Sequence, residues 1–288
     1  MITTSTKSFR EQLEYIKESI GFLSVDDVIN GNTTHKVLLT FDDGYEDNYF
    51  NVLPVIEELQ IPAVFFISTE TLFSKSETWC NELVRLLYEG DAYPHHLKLL
   101  IDGNDCILNT YTMQERIESY KQIRSELIGA DLQIRNLILE QIRCCITEQN
   151  ARTTHFMLNA DQLIQLSKSQ YVTIGCHTVS HRSLALLPIN EQYKEIADSK
   201  ATLERLIKKK VCHFAYPFGG ISDYSTQTIN ILRDLGFLSA FSTTYKRHCK
   251  MKGQYEIPRV CIHECSLDDF KNTIEIALEK KSYWASKQ

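Results

Sequence analysis

The chain has 288 residues, 43% of them hydrophobic, with a formal net charge of −6 and a pI of about 5.9. That balance supports a sizeable core and offers neither nucleic acid nor an anionic membrane the basic surface it would need. No apolar run is long enough for a bilayer crossing. The nine cysteines, without a Cys-x-x-Cys pair and behind a charged, polar opening, read as reduced thiols of a cytoplasmic protein.

Apolar spacing at Phe9, Leu13, Ile16 and Ile20 predicts a helix over 9–20, then a short extended piece, a helical turn at 26–29 and a loop at Gly31-Asn32. A strand over 37–40 runs into Asp42-Asp43-Gly44. A helix over 48–59 and a buried strand over 63–68 complete a parallel β-α-β unit. Between about 73 and 155 the pattern changes to a helix over 81–88, a hairpin around Asp102-Gly103-Asn104, and charged helices at 112–128 and 131–148. This stretch reads as an insertion in one domain that otherwise spans 1–288. Alternation resumes with a helix at 159–167 and a strand at 171–175 that leads into His177-Thr178-Val179-Ser180-His181. An amphipathic helix over 191–208 and a strand over 211–216 follow, ending in Pro217-Phe218-Gly219-Gly220. The rest is a helix over 225–235 stopped by Gly236, strands at 237–242 and 257–263, and a closing helix at 267–279. At least six strands, mostly separated by helices, predict a (β/α) barrel or an open parallel sheet.

Three polar clusters follow strands directly: Asp42-Asp43, His177/His181, and Pro217-Phe218-Gly219. In parallel α/β folds the C-terminal strand ends share one face, so clusters far apart in sequence can meet there. Adjacent carboxylates repel and resist burial, so a divalent cation is the simplest reason to place two at one strand end. An N-cap or Asx turn would use one of them and leave the other unexplained. His177 and His181, four apart, would lie on one side of a helical turn. Two histidines and one carboxylate make an open site of the catalytic kind. One aspartate would then bind the cation and the other accept a proton from water that the cation has made more acidic. The compact Cys261-Ile262-His263-Glu264-Cys265 is a weaker metal motif, because one short strand points alternate residues to opposite faces.

Thr40-Phe41-Asp42-Asp43-Gly44, His177-Thr178-Val179-Ser180-His181 and Phe214-Ala215-Tyr216-Pro217-Phe218-Gly219 stand in the order of three motifs of a known family. The chain resembles the polysaccharide deacetylases (the NodB-homology domain, carbohydrate esterase family 4) over about 9–270. The resemblance implies a distorted (β/α) barrel with a mainly helical insertion, and a divalent metal, usually Zn²⁺, on Asp43, His177 and His181. It makes Asp42 the general base and the main-chain N–H of Phe218, where the family often has Tyr, the donor to the oxyanion. His263 is the nearest candidate for the general acid. Tyr216, Pro217, Gly219 and Arg259 are implied substrate-binding residues. The Arg that often steadies the base is replaced by Ala215, and Arg259 could substitute for it. The implied activity removes N-acetyl groups from an amino sugar of a surface polysaccharide or its precursor. Formamide or cyclic-amide hydrolysis on the same scaffold, and sugar binding without catalysis, are the alternatives. Relatives often begin with a strand that this chain lacks before its first helix, which predicts a barrel seam closed by the insertion or a partner.

Overall fold

The computed structural model describes residues 4–31, 36–90, 92–101, 103–146, 151–244 and 253–285. Asn32, Asp102 and the 147–148 end of the helix expected over 131–148 lie outside them. Ser5 caps α1 (Thr6–Ser19), its hydroxyl accepting the Ser8 N–H at 3.2 Å, and Leu13 and Ile16 are buried. A Ser24/Asp27 capping box starts α2 (Val25–Ile29). After β1 (Leu39–Phe41), the helix expected over 48–59 forms in two pieces, a π-helical turn at Asn48–Val52 and α3 (Leu53–Leu59). Pro54 has no N–H to give an α-helical ladder, and the Leu53 N–H reaches five residues back to the Asn48 carbonyl instead.

Strand β2 (Ala63–Ile67) is buried at every position. The 73–155 region then supplies α4 (Trp79–Tyr88), the antiparallel pair β3 (His96–Ile101) and β4 (Asn104–Asn109), α5 (Met113–Leu127) and α6 (Leu132–Cys145). Leu97, Leu99 and Leu108 on the hairpin are buried in one cluster with Leu83, Ile123, Leu127, Ile138 and Ile142 of the helices. The insertion therefore has its own core. Arg135, almost fully buried, ties it to the barrel by donating to the Ser180 carbonyl and to Glu70.

The remaining elements are α7 (Ala160–Leu166), β5 (Val172–Cys176), α8 (Ile189–Ile207), β6 (His213–Ala215), α9 (Thr226–Asp234), β7 (Ser239–Ser242), β8 (Ile257–Pro258) and α10 (Leu267–Ala285). Six strands pair in parallel in the order β1-β2-β5-β6-β7-β8. The sheet curls into a half-barrel with helices around it, a distorted (β/α) barrel. The curl shows in one contact: Arg259, just past the edge strand β8, reaches Asp42, just past the opposite edge strand β1. Phe66, Ala215 and Phe241 pack inside the curl with Val25 of α2, while Phe65, Phe214 and Ile174 face the helices.

Two expectations need correction. The strand expected over 257–263 pairs only at Ile257–Pro258, since proline has no N–H to carry a ladder onward. At the seam between the edge strands it is α1 and α10, not the insertion, that pack, and their Ile16, Phe270 and Ile274 cluster with Phe22, Val37 and Ile262. Among the described residues no helix is long and apolar enough to cross a membrane.

Candidate active site

Every strand of the barrel contributes at its C-terminal end. Asp42 and Asp43 follow β1, Ser68 follows β2, His177 follows β5, Phe218 lies beyond β6, Thr243 follows β7 and Arg259 follows β8. Asp43 adopts a left-handed φ of 71°, a conformation that Asp tolerates better than most residues, and its carbonyl accepts the Ser68 N–H at 3.1 Å. This turn points the Asp43 carboxylate at both histidines. Its Oδ1 lies 3.3 Å from Nε2 of His177 and 3.1 Å from Nε2 of His181.

The histidines do not share a helical turn, contrary to the sequence expectation. The chain from His177 to His181 is irregular, with left-handed φ at Thr178 (66°) and His181 (53°). Side chains hold that shape. The Thr178 hydroxyl accepts the His181 N–H at 3.1 Å, and Glu195 of α8 accepts the N–H groups of Val179 and Ser180 at 3.0 and 2.9 Å. The convergence of the two rings is thus a property of a pinned loop. Nδ1 of the buried His177 donates to the Ala215 carbonyl at 2.7 Å, which leaves the Nε2 lone pair facing Asp43.

The three ligand atoms all lie within 4.8 Å of one another. Two imidazoles and a carboxylate, with one imidazole already fixed in the ligating tautomer, fit a divalent cation. Charge behaviour agrees. Burial alone would push Asp43 up, but His181 and His177 outweigh it and hold the carboxyl far below the usual range. Burial would lower His181, yet Asp43 and a hydrogen bond with Cys80 raise it to about 9. Without a cation the site therefore keeps positive charge on imidazole, and a cation that binds must displace a proton.

Asp42 is held differently. Arg259 grips it in a fork, Nη1 to Oδ1 and Nη2 to Oδ2, both at 2.6 Å, and Nη1 also donates to Thr40 Oγ1 at 3.2 Å. The guanidinium lies over the Phe66 and Phe241 rings at 5.5 and 6.0 Å, in the space beside the small Ala215. Burial works to raise the Asp42 pKa, but Arg259 and His177 together bring it below the ordinary value. Arg259 is thus the partner of the carboxylate.

In the third motif, Phe218 has a left-handed φ of 60°, and among the described residues its N–H has no acceptor. Its carbonyl accepts from the Thr243 hydroxyl at 2.7 Å, and Gly219 (φ 69°) admits no side chain, since a Cβ there would lie 2.8 Å from the Thr243 nitrogen. Tyr216 is not a ligand-facing residue. It is fully buried, stacked on Tyr224 at 3.9 Å with its hydroxyl donating to the Tyr255 carbonyl. Pro217 and Gly219 are likewise buried and shape the turn. His263 is exposed, and its neighbours Ile262 and Glu264 turn toward α1, where Glu264 accepts from the Ser5 N–H and the Ser8 hydroxyl. Among the described residues no hydrogen bond or ion pair joins His263 to the aspartates.

Sequence reading missed Glu195, Trp79 and Asn81, all of which touch the loops of the site. Only Glu195 left a trace, as an acid on the polar side of an amphipathic helix that follows the histidine loop.

A family model described as polysaccharide deacetylase matches residues 30–240. The chain belongs to the polysaccharide deacetylase family. Its fold is shared by the deacetylase PplD of Streptococcus pyogenes, solved with acetate, at 17% identity and a TM-score of 0.55 over 95% of this chain and 88% of that one. IcaB from Ammonifex degensii is similar at 19% identity and a TM-score of 0.55, over 95% and 89%. The BpsB deacetylase domain of Bordetella bronchiseptica is similar at 15% identity and a TM-score of 0.53, over 92% and 86%. At these identities the likeness speaks for the fold alone. No curated protein matches the chain.

Proposed function

We propose that this protein is a metal-dependent carbohydrate N-deacetylase, acting on an N-acetylated amino sugar of a surface polysaccharide or its precursor. The observation that carries the reading is the convergence of Asp43, His177 and His181 within 4.8 Å, beside an Asp42 that Arg259 keeps ionised. Those three residues would hold a divalent cation, zinc in the first instance, which supplies a Lewis acid for an acetamide and for the attacking water.

The protein's own groups divide the rest of the work. Asp42 accepts the proton of the attacking water. A carboxylate held below its ordinary pKa is a modest base, but once protonated it gives the proton up readily. Asp42 can therefore return that proton to the leaving amine, a role for which His263 is not positioned. The free N–H of Phe218 serves the developing oxyanion. Since the backbone donates, Phe in place of Tyr does not disable it.

Two features favour a non-catalytic relative, Ala215 in place of the usual Arg and the absence of a clear general acid among the motif residues. The Arg259 fork supplies a guanidinium to Asp42 from another strand end, which weighs against the first of these. A cytoplasmic location belongs to the same reading, supported by eight free cysteines among the described residues. The test is product analysis with N-acetylglucosamine oligomers and the zinc-loaded protein. Acetate is expected. Formate from a formylated analogue with no acetate from the oligomers would move the activity to deformylation, and neither product would end both the deacetylase and the deformylase readings.

A further inference from the structure

A cleft of about 180 Å³ lies where the insertion meets the barrel. Its walls are the connection from β2 to α4, the first turn of α4, the helix α6 and the histidine loop, and His181 is among its lining residues. The space is smaller than the roughly 300 Å³ at which sites for drug-sized ligands begin, and is on the scale of one sugar ring. Trp79 stands between the cleft and the reacting centre. Its ring meets Phe218 edge-on with centroids 6.4 Å apart, and the His181 ring meets Phe218 at 4.7 Å. The cleft therefore adjoins the Asp43/His177/His181 group.

The charged residues of the cleft are already matched. Arg135 donates to Glu70 at 2.6 Å, Glu77 lies 2.9 Å from both Arg85 and Arg152, and Glu82 lies 2.7 Å from Arg143. A charged ligand would compete with these pairs, so the cleft suits an uncharged one.

Other polar groups there are unmatched. Thr71, Trp79 and Arg135 are each more than nine-tenths buried, yet Thr71 Oγ1, Trp79 Nε1 and Arg135 Nε have no hydrogen-bond partner among the described residues. Six buried side-chain atoms lack a partner among the described residues, and three belong to this one lining, so the shortfall gathers where a ligand would fit. Buried polar groups are nearly always paired, and an unpaired one needs a reason. The indole and the guanidinium Nε can only donate, whereas the threonine hydroxyl can donate or accept. What they lack is acceptor oxygens. A sugar ring carries hydroxyl and carbonyl oxygens at its rim, has a C–H face for the indole and bears no charge.

We propose that this cleft is a sugar subsite, taking the residue next to the amino sugar whose N-acetyl group reacts. The insertion is then the part that selects a chain of sugars over a single one. That puts a glycan ahead of a monosaccharide precursor as the substrate. The inference rests on the deacetylase reading of the neighbouring site.

The test is calorimetric binding of N-acetylglucosamine and of its trimer to the zinc-loaded protein, with Asp42→Asn as background so that bound sugar is not consumed. The trimer is expected to bind about tenfold or more tighter than the monomer. Thr71→Val and Trp79→Phe each remove one polar group and keep an apolar body. Each should weaken the trimer about 3–10-fold, the worth of one hydrogen bond, and leave the monomer within about twofold. Without sugar, Thr71→Val should melt no lower than its background, since it removes an unpaired buried group. A trimer that binds no tighter than the monomer, or not at all, would overturn the proposal. So would variants that weaken both sugars alike or neither, the last being the result for a cleft that holds only water. Binding needs no turnover, which separates the two readings. Length-dependent binding lost in both variants, beside a wild type that releases no acetate, would sink the deacetylase reading and leave the subsite standing. Acetate release at equal kcat/KM from monomer and trimer would do the reverse.

Discussion

Replacing Asp42 by asparagine is expected to lower kcat by about 10²–10⁴-fold, the usual worth of a positioned general base, while zinc remains bound. Asparagine has the shape of aspartate but cannot take the proton, and its amide nitrogen would face an Arg259 donor where Oδ2 now accepts at 2.6 Å. The buried Arg259 loses its counter-charge, so some stability goes as well, and folding must be checked beside the rate. Zinc content is the control that separates the two aspartates. Asp43 is the carboxylate 3.1 and 3.3 Å from the histidine nitrogens, and Asp42 donates nothing to that group. A variant that turns over within about threefold of wild type would remove Asp42 from the mechanism.

The second large effect belongs to Arg259→Met. Its two charge-assisted bonds are the principal force holding Asp42 ionised against its burial. With the guanidinium gone, burial dominates and the carboxyl pKa rises. The sign follows from linkage. In the wild type the depressed Asp42 pKa contributes stability that is fully present above the unfolded-chain value and is lost as pH falls through the folded one. In the variant the carboxylate takes up its proton at higher pH, so the acid limb of the kcat/KM profile moves upward. At neutral pH kcat should fall about 10–100-fold from lost orientation. Zinc content should not change. An acid limb that stays in place would mean that Arg259 does no more than pack on Phe66 and Phe241.

Much of this arrangement was legible because strand ends are legible. Parallel strands put their C-terminal ends on one face, so Asp42-Asp43, the histidine pair and the Phe218 turn could be brought together from pattern alone. The means were less visible. The histidine pair was expected on a helix because of its four-residue spacing, but a loop pinned by Glu195 and Thr178 converges the rings instead. Nothing local in the sequence encodes those contacts. Arg259 was a possible partner for the base, and its role depended on how far the sheet curls, which follows from packing around Phe66 and Phe241. Tyr216 could have been read correctly. Alternate residues of a strand face opposite sides, so Tyr216 shares the helix-facing side with Phe214, and Ala215 between them points into the barrel. Trp79 and Asn81 left no trace, since their contacts arise from how an independently packed insertion docks on the barrel.

The account stands on the cation. Its most direct test is the metal content of the purified protein beside that of His177→Ala, each after reconstitution with zinc. The prediction is about one zinc per chain in the wild type, as expected for a single open three-ligand site, and loss of that zinc in the variant with the fold retained. A wild type that stays metal-free after reconstitution, or a His177→Ala protein that binds zinc equally well, would contradict it.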